Sequence, residues 1–217
     1  MISGPEALAR LREGNGRFVA DMHDHATPLT ETRRLLLAQG QEPFAIVLGC
    51  SDSRVPAELV FALGFGDLFV IRVAGNIVAP SQVGSVEFAA ARFGTRLAVV
   101  LGHTQCGAVL ATLEALRQST PHQSPNLRSI VDRIRPAVEP LLATALGEEI
   151  LVAQAVRANI SAAANHLRHG SPVLERFIEG DGLVIVGAEY CLETGVVDFF
   201  DGVPEPDVRQ GPGATRP

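Results

Sequence analysis

The sequence predicts an α/β protein with a mostly parallel central sheet, in which four parallel strands and an antiparallel edge strand are flanked by helices. Short apolar runs bounded by glycine or proline predict the strands, because strands buried on both faces are apolar throughout. Segments with apolar residues at helical spacing separate most of these runs, which is typical of a parallel sheet covered on both sides. Right-handed crossovers then bring the strand-to-helix turns to one edge of the sheet.

Each element follows from its own pattern of residues. Leucines and alanines at helical spacing, with arginines between them, predict two helices before the first strand, and a helical apolar face ending at Gly94 predicts another after the second strand. The predicted helices are 4–20, 29–40, 81–94 and segments near 105–117, 126–140 and 147–169. The predicted strands are 43–50, 67–72, 96–103, 183–190 and 195–200, the last two joined by a tight turn around Glu193–Gly195.

The chain is predicted to form one domain. Its 217 residues are 47% hydrophobic and 19% charged, which is a globular composition. The domain is assigned to residues 1–202, with 1–40 as an N-terminal helical arm. The apolar helices of this arm have little to cover within one small domain, which supports at least a dimer. Residues 118–126 are predicted to form a polar loop, and residues 203–217, rich in proline and glycine, a flexible tail.

The composition excludes several classes of function. All 18 basic side chains are arginine, so enzymes that require a lysine are excluded: P-loop hydrolases, protein kinases, pyridoxal-phosphate enzymes and Schiff-base aldolases. A formal net charge of −6 argues against nucleic acids and anionic membranes as partners. No apolar stretch is long enough to span a membrane, and arginines stand where a signal peptide would be apolar, so a cytoplasmic location is expected.

Two strand ends carry side chains that suit a metal. Cys50 follows the first predicted strand, and His103 and Cys106 follow the third. Ligands in such folds bind beyond the carboxyl ends of the strands, where the strand order reverses. Two thiols and an imidazole suit zinc, and three protein ligands leave a fourth position open, as in a catalytic site. If Cys106 opens the following helix, the helix N-terminus favours its thiolate.

Asp52, two residues after Cys50, has two possible roles. It either fills the fourth position of the metal or pairs with Arg54 and leaves that position to water. The remaining cysteine, Cys191, is interpreted as an inert thiol, because a lone buried cysteine after a strand seldom binds a metal. The remaining histidines lie in polar loops or among charges and are interpreted as solvated: His23, His25, His122, His166 and His169.

These residues lie in motifs that resemble those of the β-class carbonic anhydrases of the bacterial type. CSDSRVP (50–56) and GHTQCGAV (102–109) resemble the two zinc-binding motifs of that family, and GDLFVIRVAGNIV (66–78) and GSVEFA (84–89) resemble the stretch between them. EALARLREGNGRFV (6–19) is similar to the family's dimer-wrapping helix. The resemblance implies a carbonate dehydratase with one zinc ion per chain, in which zinc hydroxide attacks carbon dioxide to give bicarbonate and a proton. It also implies a homodimer or a dimer of dimers.

The resemblance also implies roles for individual residues. The zinc ligands are matched by Cys50, His103 and Cys106, and the dyad that gates and orients the nucleophile is matched by Asp52 and Arg54. The substrate-binding positions, some of them contributed across a dimer interface, are matched by Gln41, Phe69, Phe88 and Gly107. Two positions depart from the family pattern: Phe88 replaces a frequent tyrosine, and Val47 replaces a tryptophan that an inhibitory bicarbonate pocket requires in one subgroup.

Three functions other than carbon dioxide hydration are alternatives for this sequence. The same fold and zinc site can hydrolyse carbonyl sulfide or carbon disulfide, which are also small linear electrophiles. A non-catalytic zinc-binding domain would have Asp52 permanently closing the site, but the intact Arg54 and second motif disfavour it. A flavodoxin-like nucleotide-binding domain is disfavoured because no glycine-rich phosphate loop follows the first strand.

Overall fold

The structure is a computed structural model, and it describes residues 2–21, 31–118 and 124–205. The strands form a single five-stranded sheet: β1 (Ala45–Gly49), β2 (Leu68–Arg72), β3 (Leu97–His103), β4 (Val184–Tyr190) and β5 (Val197–Asp201). Their order is β2-β1-β3-β4-β5. The first four strands are parallel and β5 pairs antiparallel with β4, which confirms the predicted fold class.

Helices cover both faces of this sheet. They are α1 (Gly4–Val19), α2 (Glu31–Leu37), α3 (Ala57–Val60), α4 (Pro80–Arg92), α5 (Gly107–Arg117), α6 (Pro125–Val138), α7 (Glu148–His169) and α8 (Pro172–Asp181), with 3-10 helices at Ala74–Asn76 and Glu139–Ala143. Within the described ranges, no helix combines the length and the apolar character needed to cross a membrane.

Two of these helices were not predicted from the sequence. The helix α3 is a single turn after Pro56, too short for a periodic pattern. The helix α8 begins at Ser171, whose side chain accepts hydrogen bonds from the N–H groups of Val173 and Leu174, and Pro172 occupies its first turn. Serine followed by proline is a recognisable helix start, so α8 could have been found from its cap.

The core has one layer on each side of the sheet. Helices α4 to α8 supply the apolar residues of the first layer, which surround the inward side chains Ile46 and Leu48 of β1. The second layer packs α1 and α3 against the other face of the sheet, around Val47 and Phe61. Every residue of β1 and β3 is buried, which explains why both strands read as unbroken apolar runs.

The helix α1 belongs to the core of its own chain. Ala7 and Leu11 are fully buried against the sheet, so the interpretation that the N-terminal helices have little to cover within one domain is wrong for α1. Asn15 also connects α1 to α3 and to the turn before β5, donating to the carbonyls of Val60 and Gly195 and accepting from the N–H of Val197. Wrapping around a neighbouring subunit stays a prediction.

The strand order places the candidate metal ligands together. The chain passes from β1 to β2 on one side and then returns to β3 on the other side, so the order reverses between β1 and β3. Gly49 of β1 pairs with Leu101 of β3, two residues before His103. In parallel sheets, ligands bind beyond the carboxyl ends of the strands at this reversal point. Cys50 and His103 therefore meet at the edge of the sheet where a ligand is expected.

Candidate metal centre

Three buried side chains converge at this edge of the sheet. Cys50 follows β1 directly, His103 is the last residue of β3, and Cys106 is the N-cap of α5. One ligand atom from each, the two Sγ atoms and a ring nitrogen, lies within 4.8 Å of the others. All three residues are almost inaccessible to solvent. The structure thus brings together the three residues that the strand ends predict as ligands.

The turn from His103 to Cys106 has a backbone conformation that side-chain-bearing residues rarely adopt. Gln105 has a φ of +55°, in the left-handed region, between the two ligand residues. Its carbonyl oxygen accepts a hydrogen bond of 3.3 Å from Nη2 of Arg54. Strained backbone of this kind persists where the surrounding structure holds it, often at functional sites. Here it accompanies the arrangement in which one turn supplies two candidate ligands, His103 and Cys106.

The ring of His103 has one nitrogen in a hydrogen bond and one without a partner. Nδ1 lies 2.9 Å from the carbonyl oxygen of Thr104, which can only accept, so Nδ1 carries the proton and Nε2 presents its lone pair. Nε2 is buried and has no hydrogen-bond partner among the described residues. An imidazole nitrogen oriented in this way and two thiol sulfurs form a donor set that fits zinc.

The two thiols have very different proton affinities. The hydrogen bond from the Cys106 thiol lowers the pKa of Cys50 to about 4, and His103 and the N–H groups of Asp52 and Gly75 act in the same direction. The same interaction with Cys50, together with burial, raises the pKa of Cys106. The N–H groups at the start of α5 lower the pKa of Cys106 as predicted, but the neighbouring sulfur outweighs them. Cys50 is therefore the thiol that loses its proton more readily, and a metal ion bound to both sulfurs would displace the proton of Cys106 as well.

Asp52 is bound to Arg54 through both carboxylate oxygens. Nε of Arg54 lies 2.9 Å from Oδ1 of Asp52, and Nη2 lies 2.7 Å from Oδ2. The guanidinium holds the pKa of Asp52 well below its usual range, so this carboxylate is ionised at neutral pH. Its Oδ2 also lies 3.8 Å from Nε2 of His103. Of the two roles left open for Asp52, the structure has the pair with Arg54.

Arg72 is a site residue that the sequence did not single out. It is the last residue of β2, and its guanidinium donates to the carbonyl oxygens of Cys50 at 2.9 Å and Asp52 at 2.6 Å. These contacts hold the backbone on both sides of Ser51, and so they fix the segment that carries a ligand and a carboxylate. Twenty-two residues separate Arg72 from Cys50, so no local spacing reveals the contact.

The predicted substrate residues divide into two groups. Gly107 is the first residue of α5, directly after Cys106, and lies beside the cluster. Gln41 precedes β1, and thus lies at the opposite end of this strand from Cys50; it lines a surface cavity of about 600 Å³ together with Phe93. Phe69 and Phe88 contact the same Phe93, with ring centroids 5.9 and 5.5 Å away. Phe69 pairs with Ile46 near the start of β1, so Gln41, Phe69 and Phe88 surround Phe93 toward the opposite end of β1 from Cys50.

The remaining cysteine and histidines are separate from the metal centre where the structure describes them. Cys191 lies in the turn after β4, where a hydrogen bond with Thr194 lowers its pKa, and it is not one of the clustered ligands. His166 and His169 are exposed on α7, as expected for solvated histidines. The other three, His23, His25 and His122, lie outside the described residues.

Comparison with known proteins gives a consistent result. Residues 45–197 match the family model described as carbonic anhydrase. The chain is 40% identical over 189 residues to carbonic anhydrase 2 of Mycobacterium tuberculosis, covering 87% of this chain and 89% of that protein. It superposes on the β-carbonic anhydrase CcaA with a TM-score of 0.71 at 28% identity, covering 92% and 93% of the two chains. A tetrameric β-carbonic anhydrase of Sordaria macrospora gives a TM-score of 0.66 at 26% identity, covering 76% and 84%.

Proposed function

Because this chain belongs to the β-carbonic anhydrase family and is a carbonate dehydratase, we propose that it hydrates carbon dioxide at a zinc ion held by Cys50, His103 and Cys106. The observation that supports this site most directly is the buried Nε2 of His103, which has no hydrogen-bond partner among the described residues and lies within reach of two thiol sulfurs. When bound there, zinc would acidify a coordinated water and so supply a nucleophile near neutral pH.

Asp52 orients that nucleophile in the proposed mechanism. Its ionised carboxylate can only accept hydrogen bonds, so it would accept one from the attacking oxygen and direct a lone pair of that oxygen toward the carbon of carbon dioxide. Oδ2 of Asp52 lies 3.8 Å from Nε2 of His103, which supports a place beside the reacting atoms. The product proton passes to buffer.

Arg54 positions Asp52 and keeps it ionised. The two parallel hydrogen bonds from its guanidinium fix the plane of the carboxylate, which a single bond could not do. A third bond, from the Arg54 N–H to Oδ1, joins the same two residues through the backbone. At low pH we propose that Asp52 leaves this pair and binds the metal in a closed, inactive state.

We expect the rate of carbon dioxide hydration to rise with pH between about 6 and 9, with its midpoint above neutrality. Two thiolate ligands neutralise the formal charge of zinc, so the activated water loses its proton at a higher pH than in a three-histidine site, where the pKa is about 7. Stopped-flow hydration assays across this range, with zinc content measured on the same samples, test this. A flat or falling profile would contradict the mechanism.

A sulfide-release assay with carbonyl sulfide tests the alternative substrate class, because hydrolysis of that substrate on the same site would release sulfide.

The residues Gln41, Phe69 and Phe88 support a dimer whose subunits complete each other's sites. They match substrate-pocket positions, yet they lie away from the ligand cluster of their own chain. Phe88 is 53% exposed in a single chain, although aromatic rings of this size are usually covered. We propose that these side chains contact the metal centre of a partner subunit in a homodimer or a dimer of dimers, and the tetrameric relative of Sordaria macrospora is consistent with this.

Mixing two inactive variants should restore activity if Gln41 acts across the interface. Cys106→Ser removes the metal centre of its own chain, whereas Gln41→Ala leaves that centre intact but removes the amide. A mixed dimer then has one complete site, so unfolding and refolding the two together should recover roughly a quarter of the wild-type rate, because half of randomly formed pairs are mixed. Hydration assays on the separate and mixed samples measure this. No recovery, with mixed dimers shown to form, would mean that Gln41 acts within its own chain.

A further inference from the structure

The backbone of Gly75 contacts the sulfur of Cys50. The N–H of Gly75 donates to Sγ of Cys50 at 3.3 Å, in a buried position within the 3-10 helix Ala74–Asn76. Gly75 has a φ of +70°, in the left-handed region that glycine adopts without strain. This N–H therefore reaches the sulfur only when Gly75 is in the left-handed conformation, and contacts with neighbouring residues must stabilise that conformation.

Three helices converge on Gly75. A Cβ atom at this position would lie 2.9 Å from Cβ of Ala108 on α5 and 2.8 Å from Cδ1 of Ile134 on α6, so the turn is packed too closely for any side chain. The third contact is polar: Nδ2 of Asn159 on α7 donates to the carbonyl oxygen of Gly75 at 2.9 Å. Asn159 is 3% exposed, and 84 residues separate it from Gly75.

We propose that Asn159 is a positioning residue of the metal centre, because its hold on the Gly75 carbonyl keeps the Gly75 N–H on the Cys50 sulfur. The N–H and the carbonyl of Gly75 belong to successive rigid peptide units that share the α-carbon of glycine, so a displacement of the second unit also moves that α-carbon and the N–H attached to it. The sulfur contact restrains the first unit and Asn159 restrains the second. This inference rests on the proposed zinc function.

The hydrogen bond that Asn159 maintains should affect the metal directly. An N–H donor on a thiolate sulfur withdraws electron density, so it stabilises the thiolate and leaves the bound metal more electrophilic. Groups that orient metal ligands in this way typically contribute about 10- to 100-fold to metal affinity. Among the described residues, Cys50 receives two such donors, from Gly75 and from Asp52, and the Gly75 donor is the one that a distant helix anchors.

Asn159→Leu removes the donor while keeping side-chain bulk. Asn159 borders a cavity of about 720 Å³, which gives a leucine room, and Asn159→Ala provides a smaller donor-free variant. We expect both variants to release zinc to a chelator about 10-fold faster or more than the wild type. We also expect the sulfur-to-metal charge-transfer band of the cobalt-substituted protein to shift, because one thiolate has lost a donor. Both readouts are independent of hydration activity.

Asn15→Leu is the matched control. Asn15 is also a buried asparagine on a long helix, and it makes three hydrogen bonds, but they lie on the other side of the sheet. Both substitutions should lower the melting temperature, whereas only those at Asn159 should change zinc release and the cobalt band. If zinc release from Asn159→Leu or Asn159→Ala equals that of Asn15→Leu, Asn159 is an ordinary core residue and the inference is wrong.

The wild-type protein provides a test that needs no variant. With an NMR-active cadmium isotope in place of zinc, a hydrogen bond to a ligand sulfur transmits scalar coupling from the metal to the N–H proton. Coupling to the Gly75 proton is expected, and its absence while the Asp52 proton is coupled would overturn the inference. If the wild-type chain bound neither zinc nor cadmium at the three ligands, the proposed function itself would fail, which is a distinguishable result.

Discussion

Replacing Cys106 by serine should remove zinc from the protein and abolish nearly all carbon dioxide hydration. The hydroxyl of serine does not ionise near neutral pH, so the site would keep one thiolate and one imidazole, which is too few for zinc. Losing a group that only orients a metal ligand lowers metal affinity by up to roughly 100-fold. Because Cys106 is itself a proposed ligand, we expect the zinc affinity to fall by more than this. Metal content after dialysis and stopped-flow hydration measure the two effects on the same samples.

Cys191→Ser is the matched control for this substitution. It makes the same chemical change at the remaining cysteine of the chain, which lies in the turn after β4 and outside the ligand cluster. This variant should keep its zinc and its rate. Circular dichroism should show that Cys106→Ser remains folded, because serine is nearly the same size as cysteine and the other residues of the first core layer are unchanged. A zinc-loaded and active Cys106→Ser protein would refute the assignment of the ligands.

Most of the fold was predictable because its central strands are buried on both faces. Each residue of β1 and β3 is buried, so these strands appear in the sequence as unbroken apolar runs that end in polar, chemically active residues. The same arrangement made Cys50 and His103 predictable as neighbours, since parallel strands end at one edge of the sheet. The helix α8 was missed although the cap formed by Ser171 and Pro172 marks its start.

The groups that support the ligands were not predictable from the sequence. Arg72 and Asn159 contact backbone atoms rather than a matching side chain, and 22 and 84 residues separate them from their partners. No residue type or spacing indicates such a contact, because any carbonyl oxygen can accept it. The location of Gln41 is a different case. Its distance from Cys50 follows from the length of β1 between them, but no pattern within one chain indicates which residues of a second chain lie near it.

Removing the Arg54 side chain should abolish most of the activity while zinc remains bound. Arg54→Ala leaves the three proposed ligands intact and removes both side-chain hydrogen bonds to the Asp52 carboxylate, so only the bond from the backbone N–H of residue 54 remains. Positioned acid–base groups contribute typically 100- to 10,000-fold, so we expect a loss of at least about 100-fold in the hydration rate. Zinc content should stay at the wild-type level, which separates this variant from Cys106→Ser. Stopped-flow assays and metal analysis provide both measurements.

The pH dependence of Arg54→Ala distinguishes a positioning role from a purely electrostatic one. Arg54 lowers the pKa of Asp52, so its removal lets that pKa rise toward the ordinary value of about 3.9, still well below neutrality. Asp52 therefore stays ionised at pH 7 in the variant, and lost activity there must come from lost orientation or from Asp52 binding the metal. In the second case, the inactive state should persist to higher pH than in the wild type, and the remaining activity should appear only on the alkaline side.

Arg117→Ala is the appropriate control, because Arg117 forms the same two-bond pair with Glu148, at 2.9 and 2.7 Å, on the surface between α5 and α7. Exposed pairs of this kind contribute little to stability, so this variant should match the wild type in rate, zinc content and pH profile. An Arg54→Ala protein that behaved like Arg117→Ala would show that the guanidinium merely covers the carboxylate. A protein that kept its zinc and lost its rate, with no shift of the remaining activity to the alkaline side, would show that the orientation of Asp52, and not metal binding alone, makes this site catalytic.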